Sequence, residues 1–271
     1  MISDLMQWLH LALRWFHVVA GVLWIGQTAF FSWLDTRMRI EVDDQGRERV
    51  WMVHSGGFYL VEKQTRPELV PKTLHWFRWE AAASWLSGIF LLVQVYYLGG
   101  LMVDMDSPLG VGAATAVGIA VLVVGWTVYD LLWTSPVARR EGWASALSLA
   151  LLALSAWGLS ELMSGRAAYL HVGALMGTVM AANVWMRILP AQRATVAALE
   201  AGEEPDPAPA LRAKQRSRHN TFLALPLIFI MVSSHFPTLS YGHRNNWLML
   251  LGFIAVGFGA RYAMNAWDKR S

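Results

Sequence analysis

The sequence predicts an all-α fold, a polytopic membrane helix bundle with about seven transmembrane helices. Three observations predict it: 55% of the 271 residues are hydrophobic, only 15% are charged, and 15 residues are tryptophan. Soluble domains average about 25% charged residues, and a soluble core of this size does not require so much apolar material. We therefore expect a single integral-membrane domain over residues 1–271, in contact with membrane lipid.

Seven apolar stretches are long enough to cross a bilayer as helices, which takes about 20 residues each. They lie at 8–34, 76–98, 109–133, 143–162, 167–190, 221–237 and 246–266. The first stretch is followed by charged residues and not by a small-residue cleavage site, so we expect it to be retained as a transmembrane helix.

The lysines and arginines between these stretches predict the orientation. Segments 35–75, 134–142, 191–220 and 267–271 hold sixteen of them, whereas the four connections on the opposite side hold two. By the positive-inside rule, the amino terminus lies outside and the carboxyl terminus inside. The net charge of +3 is then a consequence of topology, and nothing in the sequence favours a nucleic-acid partner.

Two of the connections on the predicted cytoplasmic side are long. The loop 35–75 contains RVWMVHSGGFYLVEKQ, in which apolar and polar residues partly alternate around Ser55-Gly56-Gly57. This pattern predicts a short hairpin with a glycine turn. The loop 191–220 contains EAGEEPDPAPALRAKQRSRHN, which is rich in proline and charged residues. We expect it to be a solvated loop.

Histidines within the apolar stretches are the first candidate site. On the first stretch a stripe of residues recurs at steps of four and three, so its members share one helix face: His10, Arg14, His17, Gly21, Trp24 and Thr28. The predicted orientation places four histidines in the outer half of the membrane: His10, His17, His171 and His235. Either these side chains hydrogen-bond neighbouring helices, or they hold haem b, with His17 and His171 as the first candidates for iron ligands and His10 and His235 as the next.

The absence of cysteine narrows the chemistry. It excludes disulfides, thiolate catalysis, iron–sulfur clusters and covalently attached haem c in this sequence. Any redox chemistry here therefore needs another group.

A second candidate site lies where the second stretch begins, in LHWFRWEAAASW. His75, Arg78 and Glu80 lie within two helical turns there, and the predicted hairpin adds His54, Gly57, Tyr59 and Lys63. Two interpretations stay open. The cluster binds an anion and moves a proton, or it is an interfacial helix start in which Arg78 snorkels and Glu80 is favoured near the positive helix terminus. Asp130, near the inner end of the third stretch, would extend the same polar surface.

Five segments together resemble the amino-terminal membrane domain of the bacterial membrane-bound urate oxidases, also called urate hydroxylases. They are WLHLALRWFHVVAGVLWIGQTAFF, WMVHSGGFYLVEK, LHWFRWEAAASWLSG, HVGALMGTVMAANVWMRILPAQ and RHNTFLALPLIFIMVSSHFPTLSYG. The resemblance extends from residue 8 to about residue 242. It implies an enzyme of the bacterial inner membrane that oxidises urate to 5-hydroxyisourate, with water supplying the oxygen and a cytochrome c accepting the electrons.

Under this resemblance we expect Arg78 and Lys63 to hold the urate anion and Tyr59 or a tryptophan to stack on its ring. His75 or Glu80 would accept protons and activate water, and electrons would pass through haem b to the cytochrome c. The family's cytochrome c domain, which carries haem c, is absent here, so we expect a separate cytochrome or a longer protein. Two alternatives stay open: an organic-anion transporter or channel, and a haem b electron-transfer subunit without its own substrate.

Overall fold

The computed structural model describes residues 2–64, 67, 71–243 and 245–268. Within them the chain forms eight α-helices: α1 Ile2–Ile40, α2 Trp79–Leu92, α3 Val111–Thr134, α4 Glu141–Leu162, α5 Gly165–Ala182, α6 Leu189–Glu200, α7 Pro207–Ser233 and α8 Asn246–Asp268. One π turn, Val93–Tyr97, extends α2, and another, Asn183–Ile188, joins α5 to α6 in one continuous helix. Two short 3-10 segments lie at Pro136–Arg139 and Pro237–Leu239. The prediction of a mostly helical protein is confirmed.

Five helical runs in the described chain are long and apolar enough to cross a membrane. They are Asp4–Ile40, Val111–Thr134, Glu141–Leu162, Gly165–Glu200 and Asn246–Asp268. The other two predicted spans are less extensive. Helix α2 has 14 residues before its π turn, and the first half of α7 carries charged side chains. These helices are compatible with a multi-pass membrane protein. The count of seven spans and the orientation stay predictions.

The predicted hairpin is present between α1 and α2. Strands β1 (Arg49–His54) and β2 (Gly57–Glu62) pair antiparallel. The two turn residues, Ser55 and Gly56, have φ angles of 50° and 76°, as a two-residue type I′ turn requires. One face of the hairpin packs on the carboxyl-terminal end of α1 through Val50, Leu34 and Met38.

The segment 191–220 is largely helical, which corrects the prediction of a solvated loop. Helix α6 continues to Glu200 and α7 begins at Pro207. The Asp206 side chain caps α7 by accepting a hydrogen bond of 2.9 Å from the backbone N–H of Ala208. Proline is favoured at the first helical position, and alanine, glutamate, leucine and arginine are strong helix formers. The polar composition therefore marks the end of the apolar region and not the end of the helices.

Helix α5 is central in the bundle. In the helical run Gly165–Glu200, which contains α5 and α6, 61% of the most apolar stretch is buried, against 11–22% for the other four apolar runs. Helices α3 and α7 pack on it, α8 packs on α7, and α1 packs on α2. Large apolar side chains such as Trp8, Trp15 and Trp143 stay exposed on the outer helices. Extended exposed apolar surface of this kind is typical of a membrane interface.

Helices α7 and α8 approach closely at Gly257, which lies against the backbone of Pro226. A Cβ atom at Gly257 would come within 2.5 Å of Pro226 Cα. We therefore expect Gly257→Val to lower the free energy of unfolding by about 1–3 kcal/mol, because overpacking forces the helices apart. Gly259→Val is the matched control on the same helix, since the space beside Gly259 is open. Thermal unfolding of both purified variants measures the effect, and equal midpoints would contradict this packing.

Candidate functional site

A mostly buried polar network joins the carboxyl-terminal end of α3 to the second π turn, Asn183–Ile188, and to α7. From here on, the π turn means Asn183–Ile188. Asp130 of α3 lies at its centre. Its carboxylate accepts two hydrogen bonds from Arg187, one of them 2.9 Å from Nε, and one of 2.9 Å from Nη2 of Arg216. Asp130 is 8% exposed and Arg216 only 2%. Forked arginine–carboxylate pairs of this type are strong and fix the geometry of both partners.

Uncharged side chains continue the network into the protein. The Asn183 amide donates to the Tyr129 hydroxyl at 3.1 Å and to Asn220 Oδ1 at 2.9 Å. Asn220 in turn donates to the Met180 carbonyl at 2.9 Å. The Tyr129 hydroxyl also lies 2.7 Å from Nδ1 of His219. Three helical segments are therefore held together by hydrogen bonds between buried and partly buried side chains.

The π turn supplies two of these side chains. Asn183 is its first residue and is fully buried, and Arg187 lies one turn later with contacts on the same neighbour, α3. Short π turns inside α-helices are rare and occur frequently at functional sites. This turn is therefore a candidate for a functional element and not only a connection between α5 and α6.

The network has more positive than negative charge, and two of its buried polar atoms have no hydrogen-bond partner within the described residues. Two guanidinium groups, of Arg187 and Arg216, share the single carboxylate of Asp130. In the described part of the chain, Nη1 of Arg216 and Oδ1 of Asn183 are buried without a hydrogen-bond partner. Buried polar groups are nearly always paired, and a buried charge without compensation is costly. The arrangement can therefore receive a negatively charged group.

The start of α2 contacts the π turn, so the structure brings part of the second predicted site next to this network. That part, His75, Arg78 and Glu80, is called the inner cluster here. The Trp79 ring lies 5.5 Å from that of Trp185 in the π turn, and the Arg78 guanidinium lies 5.2 Å from the centre of the Trp79 ring. Glu80 is in the first turn of α2, and its side chain makes no hydrogen bond or ion pair within the described residues. His75 is exposed in the irregular segment before α2.

The hairpin residues that we predicted to bind substrate are His54, Gly57, Tyr59 and Lys63. Within the described residues, none of them hydrogen-bonds or ion-pairs with the start of α2. The Lys63 amine pairs with Asp35 of α1 and lies 4.0 Å from a carboxylate oxygen of Glu48. His54 is exposed, and its Nδ1 lies 2.9 Å from the hydroxyl of Ser55. Lys63 thus ties the hairpin to α1.

Charges elsewhere on the hairpin are paired as well. The Arg49 guanidinium of β1 donates to the Glu62 carboxylate of β2, and it lies 3.5 Å from Asp43. Hydrogen bonds from Gln64 and from Arg49 lower the pKa of the Glu62 carboxyl. These cations therefore have carboxylate partners within the hairpin region.

The two histidines predicted to ligate haem make hydrogen bonds between helices. Nδ1 of His17 lies 3.0 Å from the Ser84 carbonyl oxygen and 3.0 Å from the Ser87 hydroxyl. His171 is fully buried and both of its ring nitrogens are engaged. Its Nδ1 lies 2.8 Å from the carbonyl oxygen four residues earlier, and its Nε2 lies 3.2 Å from the Tyr97 hydroxyl.

The structure places His17 and His171 at different positions along α2 and its π extension. The His17 ring lies against Gly88 of α2, and His171 lies beside Tyr97, nine residues further along the same helix. Gly88 and Tyr97 are roughly 13 Å apart along the helix axis, so the two histidines contact this helix at different heights. Gly118 also leaves little space at His171, because a Cβ there would lie 2.5 Å from Nε2. Haem b stays a prediction, which the absorption spectrum of the purified protein would test.

The other two histidines lie elsewhere. Nε2 of His10 accepts a hydrogen bond of 3.0 Å from Nε of Arg14, four residues later on α1. His235 is exposed and follows the end of α7, which stops at Ser233 and does not continue to residue 237 as predicted. Within the described residues neither of them hydrogen-bonds to His17 or His171.

Within this network, Asp130 was predicted from the sequence and the other residues were not. The missed residues are Tyr129, Asn183, Arg187, Arg216, His219 and Asn220. A signal was present, because YDLLW, NVWMR and RSRHN each place polar residues near the end of an apolar stretch on the same predicted side of the membrane. A carboxylate in one such segment and arginines in the others form a pattern that predicts neighbouring helices.

Comparison with known proteins gave one match. A family model described as urate oxidase N-terminal matches residues 3–271. No curated protein and no solved structure matches the chain.

Proposed function

Because the chain belongs to the urate oxidase N-terminal family, we propose that it oxidises urate to 5-hydroxyisourate. The family match over residues 3–271 is the observation that carries this proposal, since it covers the helices, the hairpin and the polar network together. We place the enzyme in the bacterial inner membrane, on the basis of its apolar helices and the resemblance described above. Urate is an anion at neutral pH, which suits a site rich in arginine.

The proposed reaction consumes urate and water and yields 5-hydroxyisourate, two protons and two electrons. A C–O bond forms between the water oxygen and C5 of urate, and no oxygen atom comes from dioxygen. One proton leaves the attacking water and the other leaves an N–H group of urate. The two electrons leave to a cytochrome c. The scheme assigns no step to haem b, which stays a prediction.

Glu80 or His75 is the proposed acceptor of the proton from water. The location of Glu80 supports this role, because its carboxylate has no partner within the described residues and its helix contacts the π turn through Trp79 and Trp185. A carboxylate without an ion pair is free to accept a proton and to hydrogen-bond water. His75 is exposed and lies five residues before Glu80, in the irregular segment that precedes α2.

The proposal is tested with membranes that contain the protein, supplied with urate and oxidised cytochrome c in the absence of dioxygen. We expect urate to disappear as cytochrome c is reduced, with two electrons per urate. Water labelled with ¹⁸O should place the label in 5-hydroxyisourate. Membranes from cells lacking the protein are the control. If sealed vesicles instead accumulate unchanged urate while cytochrome c stays oxidised, the protein is an anion transporter and the oxidase proposal is wrong.

A further inference from the structure

We propose that urate binds as an anion in a groove beside the Asp130 network, the identity of the ligand resting on the function proposed above. The groove has a volume of about 270 Å³ and lies where α3, the π turn, α6 and α7 meet. Three arginines line it, namely Arg187, Arg212 and Arg216. No residue of the predicted inner cluster or of the hairpin lines this groove. The π turn that supplies Met186 and Arg187 also contacts the start of α2, where the proposed proton acceptor Glu80 lies, through Trp185 and Trp79.

The charges around the groove favour an anion. Arg187 and Arg216 share one carboxylate, so the pair retains one positive charge. Arg212 is exposed and makes no ion pair within the described residues, which adds a second. A planar guanidinium presents two parallel N–H donors, and these match the adjacent oxygen or nitrogen acceptors of a planar anion better than a lysine amine does.

Arg216 places a buried positive charge in the wall of the groove. This side chain is almost completely buried, it lines the groove, and its Nη1 has no hydrogen-bond partner in the described chain while Nη2 binds Asp130. Nη1 is shielded from solvent and the guanidinium lies 4.8 Å from the centre of the Tyr129 ring, so Arg216 attracts an anion in the groove through its charge and not through a hydrogen bond from Nη1.

The walls of the groove explain why a flat ring suits it better than a small inorganic anion. Besides the arginines and Thr134, the lining consists of apolar groups, among them Met186, Pro190 and Pro209. An inorganic phosphate would leave such walls in contact with water, whereas the faces of a purine ring cover them. An anionic lipid headgroup shares the negative charge and phosphate oxygens but not the ring.

The test is equilibrium binding of radiolabelled urate to the purified full-length chain and to three variants. Arg212→Gln removes an exposed guanidinium from the groove, so the protein should fold normally and bind urate roughly 10-fold more weakly. Arg193→Gln is the matched control, because Arg193 is an exposed arginine of α6 that does not line the groove. It should bind urate as the unmodified protein does. Arg78→Gln tests the competing site at the start of α2.

The outcomes separate the site from the function. Equal urate affinity of Arg212→Gln and Arg193→Gln overturns the groove as the site, as does a loss confined to Arg78→Gln. Displacement of bound urate by inorganic phosphate, or by vesicles containing anionic lipid, also overturns it, because the groove would then select charge alone. If Arg212 proves necessary for binding in a protein that never oxidises urate, the site stands and the proposed function fails. If oxidation proceeds but Arg212→Gln binds urate normally, the proposed function stands and the groove is not the site.

Discussion

Replacing Asp130 by alanine is expected to lower the free energy of unfolding by about 3–5 kcal/mol, the cost of removing one partner from a buried ion pair. The substitution leaves Arg216, which is 2% exposed, without its carboxylate. The guanidinium cannot lose its proton in compensation, because arginine stays protonated in proteins. Denaturant or thermal unfolding of the purified protein in detergent measures the loss, together with the yield of monodisperse protein.

Two further variants identify the cause. Glu141→Gln removes an exposed pair with Arg218, whose side chains are 51% and 52% exposed, and should cost less than about 1 kcal/mol. Combining Asp130→Ala with Arg216→Met should recover much of the loss. No buried guanidinium then remains in this network, and Arg187, at 44% exposure, still reaches solvent. If Asp130→Ala unfolds at the same point as Glu141→Gln, the network does not stabilise the junction of α3, the π turn and α7.

Glu80→Gln is expected to lower the rate of urate turnover by about 10²–10⁴-fold, the usual contribution of a general base. Glutamine keeps the size of the side chain but cannot accept the proton from water. Because the Glu80 side chain has no hydrogen-bond or ion-pair partner within the described residues, urate affinity should stay the same. The free energy of unfolding should fall by no more than about 1 kcal/mol, the contribution of a carboxylate in the first turn of a helix. Steady-state urate oxidation with cytochrome c, alongside equilibrium urate binding, separates the two effects.

Glu161→Gln is the matched control for this prediction, since Glu161 is exposed at the end of α4 and also lacks a partner in the described chain. It should turn over urate at the unmodified rate. His75→Gln distinguishes the two proposed proton acceptors. If only His75→Gln is slow, His75 is the base. Unmodified rates in both variants would contradict the placement of the base at the start of α2.

Features encoded over short distances along the chain were predictable from sequence. The apolar stretches gave the helices, and Ser55-Gly56 gave the hairpin turn, because left-handed backbone angles favour glycine strongly. The stripe of the first stretch also corresponds to a packed face: His17 contacts Ser84 and Ser87, and Trp24 is buried. The prediction of a loop over 191–220 was wrong because it was based on polarity alone. Polarity reports where apolar surroundings end, and helix propensity decides where a helix ends.

The polar network was decided by tertiary structure alone. Asp130 lies 57 residues from Arg187 and 86 residues from Arg216 in the chain, and each residue taken singly is an ordinary charge near the end of an apolar stretch. Which of these ends meet depends on how α3 and α7 pack on α5, where close approach at small residues sets the register of neighbouring helices. The same packing separates His17 from His171, because they contact α2 at different heights. Helical periodicity fixes the face on which a side chain lies, but the partner across that face comes from a helix placed by the whole bundle.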